Sequence, residues 1–208
     1  MKKFFLIILI LECYLSANSQ NNSKYLFNEN KEINWSLFFA PEVKYTRLCG
    51  GGALYGGLKS ALLYNNKYAI GISFGSFLTE TVREGIDSEG NAAGLNMVMA
   101  YGGFYFDYIT SFNSPVQISF PTLIGGGGIF LLEKRPPNTY GIIDEGLVEG
   151  GVYFVLEPSI NLEINVSKII RVGFGIGYRF IINSDLERYS DKDLSAPSVN
   201  LTTKFGIF

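Results

Sequence analysis

Residues 152–167 read VYFVLEPSINLEINVS and residues 170–182 read IRVGFGIGYRFII. In the first run every even position is apolar or proline: Val152, Phe154, Leu156, Pro158, Ile160, Leu162, Ile164 and Val166. The odd positions, Tyr153, Val155, Glu157, Ser159, Asn161, Glu163, Asn165 and Ser167, are mostly polar. A period of two is the signature of a strand, whose successive side chains point to opposite faces. A strand of this length exceeds the ~5–6 residues usual in soluble sheets and suits one that crosses a bilayer, which needs about 9–11 residues plus extensions.

The second run repeats the pattern. Ile170, Val172, Phe174, Ile176, Tyr178, Phe180 and Ile182 share one face, and Arg171, Gly173, Gly175, Gly177 and Arg179 the other. Ser167 and Lys168 are the tight connection between them. In such a hairpin Arg171 and Arg179 share a face with Glu157 and Glu163, so opposite charges sit among small residues inside a barrel while the aliphatic face meets lipid.

The same pattern predicts strands near Asn34–Thr46, Gly51–Tyr64, Lys67–Thr79, Gly94–Thr110, Val116–Leu132 and Pro197–Phe208, eight in all. In the first of these, Trp35, Leu37, Phe39, Pro41, Val43 and Tyr45 oppose Ser36, Ala40, Glu42, Lys44 and Thr46. The stretch Gly94–Thr110 alternates less cleanly, so its register stays open. Connection lengths give an independent test, because a barrel threaded through the outer membrane alternates short periplasmic turns with longer external loops. Asn65-Asn66, Ser111–Ser114 and Ser167-Lys168 are short; Glu80–Ala93, Glu133–Leu147 and Asn183–Ala196 are long and polar. Only the first external turn, Leu48–Gly50, breaks the rule by being short.

The expected fold is therefore all-β, an eight-stranded antiparallel up-and-down transmembrane barrel after a cleaved signal peptide. Lys2 and Lys3 precede the apolar run Phe4–Leu11, which is too short to span a bilayer, and small residues near Ser19 offer a cleavage site. The expected organisation is a signal peptide at 1–20, a short N-terminal periplasmic segment at 21–33, and the barrel at 34–208. Cys13 follows Glu12 rather than the small residue of a lipobox, which argues against lipidation; once the signal is removed Cys49 is the one thiol left.

Composition narrows the function classes. A formal net charge of −2 argues against a nucleic-acid surface, and the absence of histidine removes the commonest metal ligand and acid–base catalyst. Gly50-Gly51-Gly52 and Gly125–Gly128 lack the Gly-Lys-Ser/Thr pattern of a phosphate loop. No catalytic residue, cofactor or metal site is expected. Acidic clusters in two loops (Glu80, Glu84, Asp87 and Glu89; Asp185, Glu187, Asp191 and Asp193) are of a kind that suits calcium, but their spacing is not an EF-hand and solvated charge is the default. Tyr140, Ile142, Ile143 and Tyr189 are loop positions that could meet a partner.

The candidate functional set lies in the lumen: Glu42, Lys44, Lys59, Asp107, Glu157, Glu163, Arg171, Arg179 and Lys204 project inward in nearly balanced sign. An eight-stranded barrel is just wide enough for side chains to fill, which disfavours a diffusion pore. The default reading is a salt-bridge plug; the alternative is a gated proton or ion path. Phe208, at the end of NLTTKFGIF, is the candidate barrel-insertion terminus, although it falls on the face of Lys204 and Gly206 rather than that of Phe205 and Ile207.

These features resemble the small eight-stranded outer-membrane barrels of Gram-negative bacteria. The segments ALYGGLKSALLYNNKYAIGI (53–72), YGGFYFDYI (101–109) and VLEPSINLEINVSKIIRVGFGIGYRF (155–180) are similar to a group of such barrels. The resemblance implies fold and location in the bacterial outer membrane, with lipid, lipopolysaccharide and the barrel-assembly machinery as partners, and it carries no ligand or reaction. The expected function is a structural or surface-interaction barrel with no catalysis, with a narrow channel or small-ligand transporter as the alternative and a secreted soluble β-barrel binding protein third.

Overall fold

The computed structural model describes residues 35–78, 81–86, 92–110, 115–134 and 145–208. The expected signal peptide at 1–20 and the segment 21–33 lie outside the described residues. Among the described residues ten strands form one sheet: β1 (Trp35–Leu48), β2 (Gly51–Tyr64), β3 (Tyr68–Phe77), β4 (Thr81–Ile86), β5 (Ala92–Tyr108), β6 (Val116–Ser119), β7 (Thr122–Lys134), β8 (Glu145–Asn165), β9 (Ile170–Ile182) and β10 (Ala196–Gly206), with one helical turn, α1 (Asp191–Leu194), before the last.

The ten strands are eight staves. β3 and β4 both pair with β5, and β6 and β7 both pair with β8 in one continuous register. The break between β6 and β7 is Pro121, which has no N–H to give the ladder; its carbonyl still accepts from Ser159 N at 2.8 Å. The pairing order β3-β2-β1-β10-β9-β8-β7-β5 returns to β3, so the sheet closes into an antiparallel barrel. Following paired positions once round from Ser36, with the flanking register carried through Pro121, returns to β1 at Thr46, ten residues on. That stagger tilts the strands by about 40° and sets the lumen width.

The period-two pattern is obeyed around the circuit. Phe39, Val43, Ile72, Phe104, Phe154, Ile160, Phe174 and Leu201 all point outward and are exposed. Soluble proteins do not carry a continuous apolar band of this extent, and a membrane barrel requires one. Aromatic pairs rim the end that carries the short turns: Trp35 on Tyr64 at 4.9 Å between ring centroids, Tyr68 on Tyr108 at 5.4 Å, and Tyr108 on Phe120 at 6.3 Å. Such rings sit at headgroup level, hydrophobic body inward and hydroxyl in water. The chain spans a bilayer through its barrel.

Two hairpins turn on left-handed residues, Asn65 and Asn66 (φ 49° and 54°) at one end, and Cys49 and Gly50 (φ 48° and 82°) at the other. Positive φ at consecutive turn residues is the twist that suits two antiparallel strands joined by a tight turn, of two residues between β1 and β2 and three between β2 and β3. The stretch Glu80–Ala93, expected to be a loop, is largely a hairpin: β4 pairs with the start of β5, from Thr81 opposite Met97 to Ile86 opposite Ala92. Likewise β8 begins at Glu145, seven residues before the alternation becomes legible at Val152. Both extensions continue the strand pairing past the stretch in which the alternation is legible.

Candidate functional site

All nine charged side chains expected in the lumen point inward and are buried. Inward alternation on β1, β2, β5, β8, β9 and β10 puts them there; the barrel's stagger decides which meet. Among the described residues their ion pairs form two clusters, which approach each other where Lys59 lies 5.2 Å from the Tyr105 ring centre, and Arg179 stands outside both.

The first cluster joins Glu42, Lys44, Lys59 and Glu157. Lys44 Nζ lies 2.9 Å from Glu157 Oε2 and 3.1 Å from Glu42 Oε2, and Lys59 Nζ lies 2.5 Å from Glu42 Oε1. Tyr101 OH donates to Glu157 at 3.0 Å and Thr202 Oγ1 to Glu42 at 3.3 Å. Lys44 also sits 4.7 Å from the ring centre of Tyr55, which stacks on Tyr101. The second cluster joins Asp107, Glu163, Arg171 and Lys204. Lys204 Nζ bridges Asp107 Oδ2 at 2.8 Å and Glu163 Oε1 at 2.5 Å, and Arg171 Nη1 approaches Glu163 Oε2 at 3.3 Å. Ser119 Oγ donates to Glu163 at 2.6 Å, Tyr105 OH to Asp107 at 2.8 Å, and Arg171 Nε to Asn165 Oδ1 at 2.7 Å.

Each cluster holds two acids and two bases, so each is formally neutral. Buried charges are tolerated when paired and hydrogen-bonded, and each of these eight groups has an ion-pair partner, although Asp107 Oδ1 and Glu42 Oε2 accept no hydrogen bond. Arg179 differs. Its guanidinium donates to carbonyls, Leu194 O at 2.9 Å and Arg47 O at 3.0 Å, and lies 5.0 Å from the ring centre of Phe77.

Phe208 turns toward the lumen side, as its phase requires. Its ring lies 4.2 Å from the Arg171 guanidinium carbon and 6.2 Å from the ring centre of Phe38, while Phe205 and Ile207 face outward.

Above the first cluster the lumen is apolar, filled by Leu48, Met97, Met99, Ile129, Leu131, Tyr153 and Ile181. Leu186 and Leu194, from the segment joining β9 to β10, complete that packing. Sequence reasoning missed these two leucines, the inward tyrosines Tyr55, Tyr101 and Tyr105, and the hydroxyl of Thr202. The tyrosines share the odd-numbered phase of Asp107 or Lys59, which could have found them. The leucines stand alone in a polar stretch and give no periodic signal.

Two of the four acidic side chains of residues 183–195, those of Asp191 and Asp193, serve the segment itself. Asp191 accepts from Ser184 Oγ at 2.6 Å and from the amides of Ser184 and Asn183; Asp193 accepts from Ser190 Oγ at 2.6 Å and Ser190 N at 3.0 Å. These hydrogen bonds hold both carboxyls below the usual aspartate range, chiefly through the serine hydroxyls. Tyr189 packs against the apolar cluster. The side chains of Glu80, Glu84, Asp87, Glu89, Tyr140, Ile142 and Ile143 lie outside the described residues.

No family model matches this sequence, and no curated protein matches it. Among solved structures it is similar to Neisserial surface protein A (9% identity over 85% of this chain and 99% of that one, TM-score 0.45). It is also similar to Ail, the attachment invasion locus protein of Yersinia pestis (15% identity, 85% and 100%, TM-score 0.47). A third is a major outer membrane protein from Thermus thermophilus (10% identity, 82% and 99%, TM-score 0.48). The closed circuit of strand pairings in this chain, with its apolar outer band, is what establishes an outer-membrane-type β-barrel here.

Proposed function

We propose that the protein is an outer-membrane β-barrel with a structural or surface-interaction role, its lumen plugged by paired charges and its chemistry non-catalytic. The observation that carries this reading is the pairing of eight inward charges into two neutral clusters at different heights of one narrow lumen. Apolar packing above them supports a closed external end. The strand extensions, from Thr81 to Ile86 and from Glu145 onward, support presentation of a surface outside the membrane, with lipid and lipopolysaccharide around the barrel wall. With no histidine in the chain, a serine-hydrolase triad has no base.

A second reading, a narrow conducting path, is favoured by one observation: Asn161 Oδ1, Ser198 Oγ and Asn200 Oδ1 are buried on the β8–β9–β10 wall without a protein hydrogen-bond partner. Buried oxygens of this kind are commonly met by ordered water. Single-channel recording in planar bilayers separates the two. A plugged lumen gives no steady conductance under an applied potential, whereas a steady, cation- or anion-selective conductance lost on substitution of lumen charges establishes the channel.

A further inference from the structure

We propose that residues 183–195 are a displaceable lid over the external mouth of the barrel, latched from inside by Arg179. This goes beyond the plugged lumen, which lies deeper and has its own partners.

The register makes the segment surplus as a connection. Arg179 is already opposite Ala196, so a tight hairpin could have followed within a few residues. The chain instead leaves β9 through a left-handed residue, Asn183 (φ 54°), folds back over the mouth, and re-enters β10 after α1. Leu194 is fully buried and Leu186 nearly so, both within the apolar cluster at the top of the lumen.

Hydrogen bonds fasten the segment to the rim at several points, Asp185 N to Val152 O among them. Arg179 holds Leu194 O through both Nε (3.0 Å) and Nη2 (2.9 Å). Cys49 N donates to Asp193 O at 3.0 Å, and Ile181 N donates to Ser195 Oγ at 2.9 Å. On the outer side Glu149 accepts from Glu187 N and lies 3.4 Å from Arg188 Nε.

The nature of the latch makes it the releasable one. Lys44, Lys59, Arg171 and Lys204 each meet a carboxylate, whereas Arg179 meets neutral carbonyls. A hydrogen bond between two ionised groups is the stronger kind, and its loss leaves two uncompensated charges. Releasing a carbonyl leaves one guanidinium, at the end of the lumen nearest bulk water. The segment is also internally organised: Ser190 and Asp193 form a reciprocal capping box, and Asp191 ties the segment's start to its helix. It can therefore move as a folded piece.

Cys49, at the tip of the β1–β2 turn and bonded through its amide to the lid, is a native reporter. The experiment is the rate of Cys49 alkylation by a membrane-impermeant maleimide, read by mass spectrometry on full barrels reconstituted in lipid nanodiscs. Heat-modifiable gel mobility verifies in each sample that the barrel is closed. Arg179→Lys keeps the charge but loses the fork, and Asp191→Asn acts on the exposed lid alone; each is expected to speed labelling by about tenfold or more through more frequent local opening. Arg171→Lys, at the opposite end, is expected to leave the rate unchanged. Equal rates in wild type, Arg179→Lys and Asp191→Asn overturn the proposal, as does equal acceleration by Arg171→Lys, which would mean general loosening.

Discussion

Lys44 and Glu157 stand 113 positions apart in the chain and meet at 2.9 Å inside the barrel. Neither strand touches the other: β1 and β8 are separated by β10 and β9 along one arc of the wall. The pair therefore spans the lumen, and its energy depends on closure. Lys44→Met leaves Glu157 buried with its tyrosine alone, an expected loss of about 3–5 kcal/mol in urea unfolding from lipid vesicles. A double-mutant cycle of Lys44→Met with Glu157→Gln is expected to show coupling above ~1 kcal/mol, while Lys44→Met with Arg171→Met, in the other cluster, adds within about 0.5 kcal/mol.

The outer band gives a depth-dependent expectation. Ile176, at the middle of β9, is exposed on the outer face, and Ile207 stands at the rim that carries the short β8–β9 turn. Ile176→Lys is expected to cost about 2–4 kcal/mol and Ile207→Lys about 0–1 kcal/mol, because a charge is expensive at the bilayer midplane and cheap at the interface. Equal costs in the same unfolding assay would contradict the placement of the band.

Gly175 is where the wall gives way to a side chain. A Cβ there would strike Asn161 Oδ1 well inside van der Waals contact, and the Ile160 carbonyl as well. Gly128, on the outer face, has no atom nearer than 3.4 Å to the same added carbon. Gly175→Ala is expected to cost about 1–3 kcal/mol through overpacking, and Gly128→Ala under 1 kcal/mol.

The legibility of the sequence followed the polarity of the lumen. Where inward positions are charged or small, as on β8 and β9, contrast with the lipid face made alternation plain. On β5 the inward Met97, Met99 and Tyr101 face the apolar upper lumen while Val98 and Phe104 face lipid, so both faces read as hydrophobic and the register stayed open. The nine inward charges could be named from phase, but not their partners, because pairing across the lumen is set by the ten-residue stagger. The lid was illegible for a third reason: Leu186 and Leu194 act singly, and Arg179 looked like a carboxylate's partner until the carbonyl of Leu194 occupied it.

Acid should loosen the lid at a pH below the ordinary aspartate range. Asp191 and Asp193 are held down in the folded segment by hydrogen bonds from Ser184 and Ser190. A depressed carboxyl contributes stability that is complete above its unfolded value and lost as pH falls through the folded one. Asp185, Glu187, Arg188 and Lys192 on the segment and Glu149 against it are the other charged groups there. Amide resonances of Ser184 and Ser190 are expected to hold between pH 7 and 5 and to shift below about 4. Asp191→Asn should abolish the Ser184 change, and a midpoint near neutrality would contradict the assignment.

The most direct test of the central claim is envelope fractionation of the native host combined with heat-modifiable mobility in detergent. A closed membrane barrel is recovered with the outer membrane and migrates at one position unheated and another after boiling. Recovery as a soluble periplasmic protein, with a single mobility, would contradict it.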